Sequence, residues 1–246
     1  MLGLFSLSFI PPLVLTFVYS ESGTEIFLYS FIFLFFLGGT LWVSTRQKNL
    51  PLNISDGFII TTMFWVVLAC AGSIPFYFFG LSIGDSIFES VSGITTTGAT
   101  TIIGLDTLPK SILLYRQLLQ WIGGMGLIIL AVAVMPALGI GGGQLYKMEL
   151  PGSHGNQKLT PKITDSAKAL WKIYVGLTVL CATLYLISGM GLFDSIAHSL
   201  STVAGGGFST HDESIGFFDS GLIETVCIVF MLLSAASFAV HYAAIF

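Results

Sequence analysis

Six stretches of this chain are apolar over roughly the length a helix needs to cross a bilayer: residues 2–19, 26–43, 58–79, 112–138, 173–187 with its flanks, and 222–246. A helix rising about 1.5 Å per residue needs roughly 20 apolar residues to cross a hydrocarbon core about 30 Å thick. In that medium every backbone N–H and C=O must be satisfied within the protein, which makes such runs helices. Composition agrees. Only 9% of the residues are charged and 54% are hydrophobic, against about 25% charged in a soluble domain. The fold class that follows is an all-α polytopic membrane protein. The net charge of −4 leaves no basic patch for nucleic acid. Cys70, Cys181 and Cys227 all fall inside apolar runs and read as small buried hydrophobes, with no disulfide framework. The first run reads as a membrane helix bent at Pro11 and Pro12 rather than as a cleaved leader.

Lysine and arginine set the orientation. Arg46 and Lys48 lie between the second and third runs. Lys147, Lys158, Lys162, Lys168 and Lys172 lie between the fourth and fifth runs or at the start of the fifth. These seven share one side, which the positive-inside rule makes cytoplasmic. The opposite connectors carry Glu21, Glu25, Asp85, Glu89, Asp106, Asp194, Asp212, Glu213 and Asp219, with only Lys110 and Arg116 of positive sign. Residues 80–110 and 189–221 therefore face outward, and their acidity would enrich cations at an outer mouth.

Those two outer connectors repeat one another. Residues 80–101 read GLSIGDSIFESVSGITTTGATT and residues 189–210 read GMGLFDSIAHSLSTVAGGGFST. They align without gaps at an offset of 109, with eight of 22 positions identical. The identities are Gly80/Gly189, Asp85/Asp194, Ser86/Ser195, Ile87/Ile196, Ser90/Ser199, Ser92/Ser201, Gly98/Gly207 and Thr101/Thr210. Apolar runs flank both copies. The chain thus divides into a helix pair at 1–50, a first module at 51–143, a linker at 144–165 and a second module at 166–246.

Each connector begins with a segment that reads as a short helix. Asp85 and Asp194 suit a helix start, where a carboxylate caps free N–H groups and favours the dipole. From Asp85 to Ile94 is about 15 Å of helix, too short to span the membrane and right for one that enters and stops. TTTGAT follows it in one copy and AGGGFST in the other. Non-helical backbone at membrane depth is tolerated only where protein buries it or where it lines a watery cavity. Carbonyl oxygens released from secondary structure there can replace the water shell of a dehydrated cation. The alignment of Gly98 with Gly207 is expected if that position needs a conformation that a β-carbon would hinder.

These segments, with RQLLQWIGGMGLIILAVAVMPALG, QLYKMELPG and STVAGGGFSTHDESIGFF, resemble the Trk/Ktr/HKT superfamily of potassium transport proteins, and the chain is most similar to its bacterial TrkH/TrkG subfamily. The resemblance covers nearly the whole chain. It implies span–pore helix–filter–span modules around a K⁺-channel-like pore, with K⁺ as the transported ion and no bound cofactor. It maps the filter glycines to Gly98 and Gly207. The coordinating carbonyls map to Thr96, Thr97, Gly98, Gly205, Gly206 and Gly207. It implies a bacterial cytoplasmic (inner) membrane protein, a homodimer, and a cytosolic nucleotide-binding regulatory ring of the TrkA type as partner. Family members have four such modules and this chain shows two, so two further modules are expected. The alternative expectation is a non-conducting assembly subunit or a truncated remnant.

The other features read more simply. GIGGGQ at 139–144 lacks the Lys-Ser/Thr of a phosphate loop and reads as a turn ending a helix. GGMG at 123–126 reads as a close-packing stretch inside a span. His154, His198, His211 and His241 show no ligand spacing. Glu89 and His198 are equivalent in the repeat, facing either the filter or an outer vestibule. Arg116 is an intramembrane charge near the outer interface, a functional candidate that could equally snorkel or pair with an outer acidic residue. No nucleophile–base pair or paired carboxylates suggest an enzyme.

Overall fold

The computed structural model describes residues 2–45, 54–129 and 160–236. Every regular element among them is helical. Helix α1 (Leu2–Phe5) leads through a 3-10 turn (Ser6–Phe9) into α2 (Ile10–Val18), and α3 is Thr24–Thr45. The first repeat unit comprises α4 (Ile54–Phe79), the short α5 (Ile83–Ile94), a 3-10 turn (Leu105–Thr107) and α6 (Lys110–Ile129). The second comprises α7 (Thr160–Ile187), the short α8 (Leu192–Ala204), a 3-10 turn (Ser214–Phe218) and α9 (Gly221–Ala235). The expected turn at 139–144, Arg46 and Lys48, most of the linker and the ends of the fourth and sixth apolar runs lie outside the described residues.

Three described stretches are long and apolar enough to cross a membrane: Thr24–Thr45, Thr61–Phe79 and Lys168–Ile187. Six were expected, and of the other three the fourth and sixth runs extend beyond the described residues. The first run is apolar but shorter, Leu2–Val18, and it is irregular. Its irregularity precedes Pro11 and Pro12, which occupy the first turn of α2 where a missing N–H costs least. A 3-10 turn stands before them, closed by the Ile10 N–H to the Leu7 carbonyl. Helix α6 carries the polar side chains of Arg116, Gln117 and Gln120, all fully buried. Helix α9 is described only to Ala235. Within Thr24–Thr45 only Phe27, Ser30 and Leu34 are buried, and Phe33, Phe36, Trp42 and Val43 point outward. Apolar side chains on the outside of a helix pair fit a hydrocarbon surround and not water. The same surround accounts for Cys70, which is exposed; of the three cysteines only Cys181 is fully buried.

Two cores hold the units together. In the first, the rings of Phe9, Phe27 and Phe76 lie 5.6, 5.7 and 5.1 Å from that of Tyr115. The Tyr115 hydroxyl donates to the Gly72 carbonyl at 2.8 Å. The N-terminal helices thereby lock onto α4 and α6. Glu21 adds a cap, its carboxylate accepting the N–H groups of Lys110 (2.7 Å) and Ser111 (3.1 Å) at the start of α6. The second core gathers Tyr174, Cys181, Tyr185, Met190, Val203, Ile223 and Phe230.

Helix α6 stands between the two short helices, and GGMG is what permits the approach. A β-carbon on Gly123 would lie 1.9 Å from the Ile94 carbonyl oxygen at the end of α5. One on Gly124 would lie 2.8 Å from the Tyr174 hydroxyl and 3.2 Å from Ala204 at the end of α8. Gly123→Ala is expected to cost roughly 1–3 kcal/mol by overpacking, seen as a lowered thermal midpoint in detergent. An unchanged midpoint would mean that α6 and α5 can move apart freely.

Candidate functional site

The site is built where α5 and α8 end. Helix α5 is capped by Ser82, whose Oγ accepts the Asp85 N–H at 3.1 Å and donates to Asp85 Oδ2 at 2.6 Å. Asp85 therefore sits in the first turn as the reciprocal partner of the cap rather than as the cap itself. Asp194 also lies in the first turn of its helix, behind Gly191, which offers no side chain. Its carboxylate is free for another task and accepts the Thr210 hydroxyl at 2.8 Å, tying the start of α8 to the segment beyond its end. The helices have 12 and 13 residues, or roughly 18–20 Å of rise.

The repeat extends to backbone conformation. Positive φ occurs at Gly80 and Gly189 (115° and 98°), at Thr96 and Gly205 (55° and 69°), and at Gly98 and Gly207 (78° and 82°). Each pair is separated by the sequence offset. Both short helices also end alike. The N–H groups of Thr96 and Thr97 bond to the carbonyls of Gly93 and Ser92, and those of Gly205 and Gly206 bond to Thr202 and Ser201. This is the Schellman pattern, closed by a left-handed residue. A glycine takes that conformation freely, whereas Thr96 carries a β-branched side chain into it, which is a genuine outlier. Strain of this kind persists where surrounding structure imposes it, and it clusters at functional sites.

Beyond the turns, residues 97–100 and 206–209 form no regular secondary structure. Among the described residues, the carbonyl oxygens of Thr96, Thr97, Gly98, Gly205, Gly206 and Gly207 accept no hydrogen bond. The carbonyls just past them are tied back: Ser92 Oγ donates to the Ala99 carbonyl and Arg116 Nη1 to the Ser209 carbonyl at 3.1 Å. The two segments touch. A β-carbon on Gly98 would lie 1.9 Å from the Gly206 carbonyl oxygen. The structure thus brings all six sequence-identified filter residues together, with Gly206 buried and Thr97, Gly205 and Gly207 exposed.

Behind the segments lies a polar cluster that spacing alone did not reveal. Glu89 and Arg116 form an ion pair (Arg116 Nε to Glu89 Oε2, 3.2 Å) with both side chains at 0% exposure. Glu89 faces neither a vestibule nor solvent. Its other oxygen accepts the Thr100 hydroxyl and the Thr101 N–H, the latter at 2.7 Å. Its repeat equivalent His198 bonds Ser209, the equivalent of Thr100, from Nε2 at 2.9 Å. The Asp194 carbonyl can only accept, so Nδ1 of His198 carries the hydrogen in that 2.9 Å contact. Gln120 Oε1 accepts from the Ser201 hydroxyl (2.6 Å) and the Phe208 N–H (3.0 Å). The signal available in sequence was the pairing of Glu89 with His198 at equivalent positions, together with three polar residues on one buried helix.

The outer connectors also meet. Asp212 accepts the N–H groups of Gly104 and Leu105, each at 3.1 Å. His211 is stacked on Phe217 with centroids 3.5 Å apart and donates from Nδ1 to Asp106. Glu21, Asp106, Asp194 and Asp212 are thus committed to N–H and O–H groups, and the acidity of this face serves assembly first. The hydrogen bond from His211 holds the Asp106 carboxyl below its ordinary 3.8. A depressed carboxylate contributes its stabilisation in full above the unfolded value and loses it as pH falls through the folded value. Relative to its intrinsic rate, exchange of the Asp212 amide, which donates to Asp106 Oδ2 at 3.4 Å, is expected to quicken as pH falls below about 4. Asp106→Asn should abolish that change. Equal acceleration in the variant would assign it to another group.

A family model described as TrkH, cation transport protein, matches residues 23–246. The Trk system potassium uptake protein TrkH of Vibrio parahaemolyticus is 49% identical over 99% of this chain and 51% of its own length. Its namesake in Escherichia coli K12 is 48% identical over 97% of this chain and 50% of its own length. Escherichia coli K12 TrkG is 46% identical over the same shares. A solved chain, the crystal structure of the potassium transporter TrkH from Vibrio parahaemolyticus, superposes with a TM-score of 0.87 at 47% identity, over 99% of this chain and 49% of that one. This chain spans about half the length of the curated relatives it matches. The helical fold with its membrane-length apolar spans, the repeat and the match over residues 23–246 converge: the chain belongs to the TrkH family of cation transport proteins.

Proposed function

We propose that this chain takes part in potassium uptake across the bacterial inner membrane, supplying two walls of a selectivity filter made of backbone carbonyls. The observation that carries the reading is the set of unbonded carbonyls at residues 96–98 and 205–207, presented by two segments in the same left-handed conformation. Oxygens without donors can stand in for the water shell of a K⁺ ion. Helices α5 and α8 both end directly before these segments, which puts the partial negative charge of each C-terminus beside the ion path. The pore modules are then residues 51–143 and 166–246, joined by the linker at 144–165 and preceded by the helix pair at 1–50. Two further modules complete the ring, a reading supported by relatives of about twice this length. The filter segments face outward, consistent with the lysine distribution. A homodimer working with a cytosolic TrkA-type regulatory ring, and no bound cofactor, follow from family membership.

The test is K⁺ uptake in a bacterial strain lacking its own uptake systems, carrying the full-length protein. Growth at low external K⁺ is the expected result. Gly98→Ser should lower the preference for K⁺ over Na⁺, and an unchanged preference would sink the filter assignment.

A further inference from the structure

We infer that Arg116 is a positioning residue that fixes the two glycine-bearing segments relative to each other, and so sets which cation the proposed filter prefers. This rests on the filter reading above. The guanidinium is fully buried and uses three nitrogens on three partners: Nε on Glu89 at 3.2 Å, Nη1 on the Ser209 carbonyl at 3.1 Å and Nη2 on the Thr100 hydroxyl at 3.0 Å. Its central carbon also lies 4.3 Å from the centroid of the Phe208 ring. Thr100 follows Gly98 by two residues and Ser209 follows Gly207 by two. These are equivalent points of the repeat, so one side chain grips both segments at the same distance beyond the free carbonyls.

A guanidinium holds its donors in a rigid plane. Fixing Thr100 and Ser209 to one plane fixes the spacing between the segments that carry residues 96–98 and 205–207. Glu89 completes the brace from the other side by holding Thr100 and the Thr101 N–H. Packing alone does not call for this arrangement. A buried ion pair is often matched or bettered in stability by apolar groups of the same volume. The geometry of three directed bonds is what apolar groups cannot supply. Helix α6 is suited to carry the brace because it stands between the two short helices and also grips the second segment through Gln120.

A purely structural role would alter protein amount without altering ion preference, and this separates the alternatives. Arg116→Lys keeps a charge beside Glu89 but cannot reach three partners in one plane. Thr100→Val keeps the volume and removes the hydroxyl shared by Glu89 and Arg116, and it decides the matter should Arg116→Lys fail to accumulate. In the uptake-deficient strain carrying the full-length protein, K⁺ and Na⁺ uptake per unit of membrane protein give the preference ratio. We expect it to fall about tenfold in Arg116→Lys, the scale of one charge-assisted hydrogen bond, and in the same direction in Thr100→Val. If Gly98→Ser lowers the ratio and neither brace variant does, Arg116 is only a packing element and the inference fails while the filter stands. If none of the three changes the ratio, the filter reading fails and takes the brace with it.

Discussion

Alanine at Gly98 is expected to abolish selective K⁺ uptake and to destabilise the protein by roughly 2–5 kcal/mol. That figure sums the left-handed cost of a residue with a β-carbon and an overpacking cost against backbone. Both contributions are visible. Gly98 has φ of 78°, and its β-carbon would sit 1.9 Å from the Gly206 carbonyl oxygen. The neighbour is main chain on the opposing segment, so relief requires moving the very carbonyls proposed to ligate the ion. Alanine at the equivalent Gly207 should be milder. Its φ of 82° exacts a similar conformational cost, but nothing described lies within 4 Å of the added atom. Roughly 1–2 kcal/mol is expected there. Paired thermal midpoints in detergent, with K⁺ and Na⁺ uptake for each variant, check the asymmetry. Equal losses at both positions would show that conformation alone governs the glycines.

The second large effect concerns the ion pair behind the segments. Glu89→Ala is expected to cost roughly 3–5 kcal/mol, because it strands the Arg116 guanidinium without a counter-charge in a place water does not reach. It also orphans the Thr101 N–H and the Thr100 hydroxyl, both now satisfied by Glu89. Pairing Glu89→Gln with Arg116→Met should recover much of the loss, since two apolar or neutral groups bury more cheaply than one unpaired charge. Unfolding midpoints of Glu89→Gln, Arg116→Met and the pair measure the coupling. A paired variant as unstable as the sum of its parts would show that the two groups act independently.

Much of this architecture is legible in sequence because the membrane leaves few choices. Long apolar runs must be helical, and two ungapped copies at one offset must build similar units. The offset of 109 proved to be a statement about dihedral angles, since the left-handed positions at Gly80, Thr96 and Gly98 return at Gly189, Gly205 and Gly207. Other expectations shifted. A 3-10 turn at Ser6–Phe9 precedes Pro11 and Pro12, which sit in the first turn of α2, where proline is tolerated. Arg116 on α6 stood out in sequence as an intramembrane charge, and the structure buries it with Gln117 and Gln120. The outer acids read as a cation lure, yet Glu21, Asp106 and Asp212 hold helix starts and connectors together.

With the six proposed filter residues left to the family resemblance, what the sequence determined by itself was the class of solvent and the repeat. These depend on composition and on neighbours along the chain, which short-range sterics and hydropathy report directly. Only the tertiary structure decided that Glu89 turns inward to Arg116, that Arg116 reaches Ser209 across 93 residues of chain, and that Gly98 rests against Gly206. Such contacts depend on how helices cross in space, and a buried charge declares its partner only when packing has removed every other one.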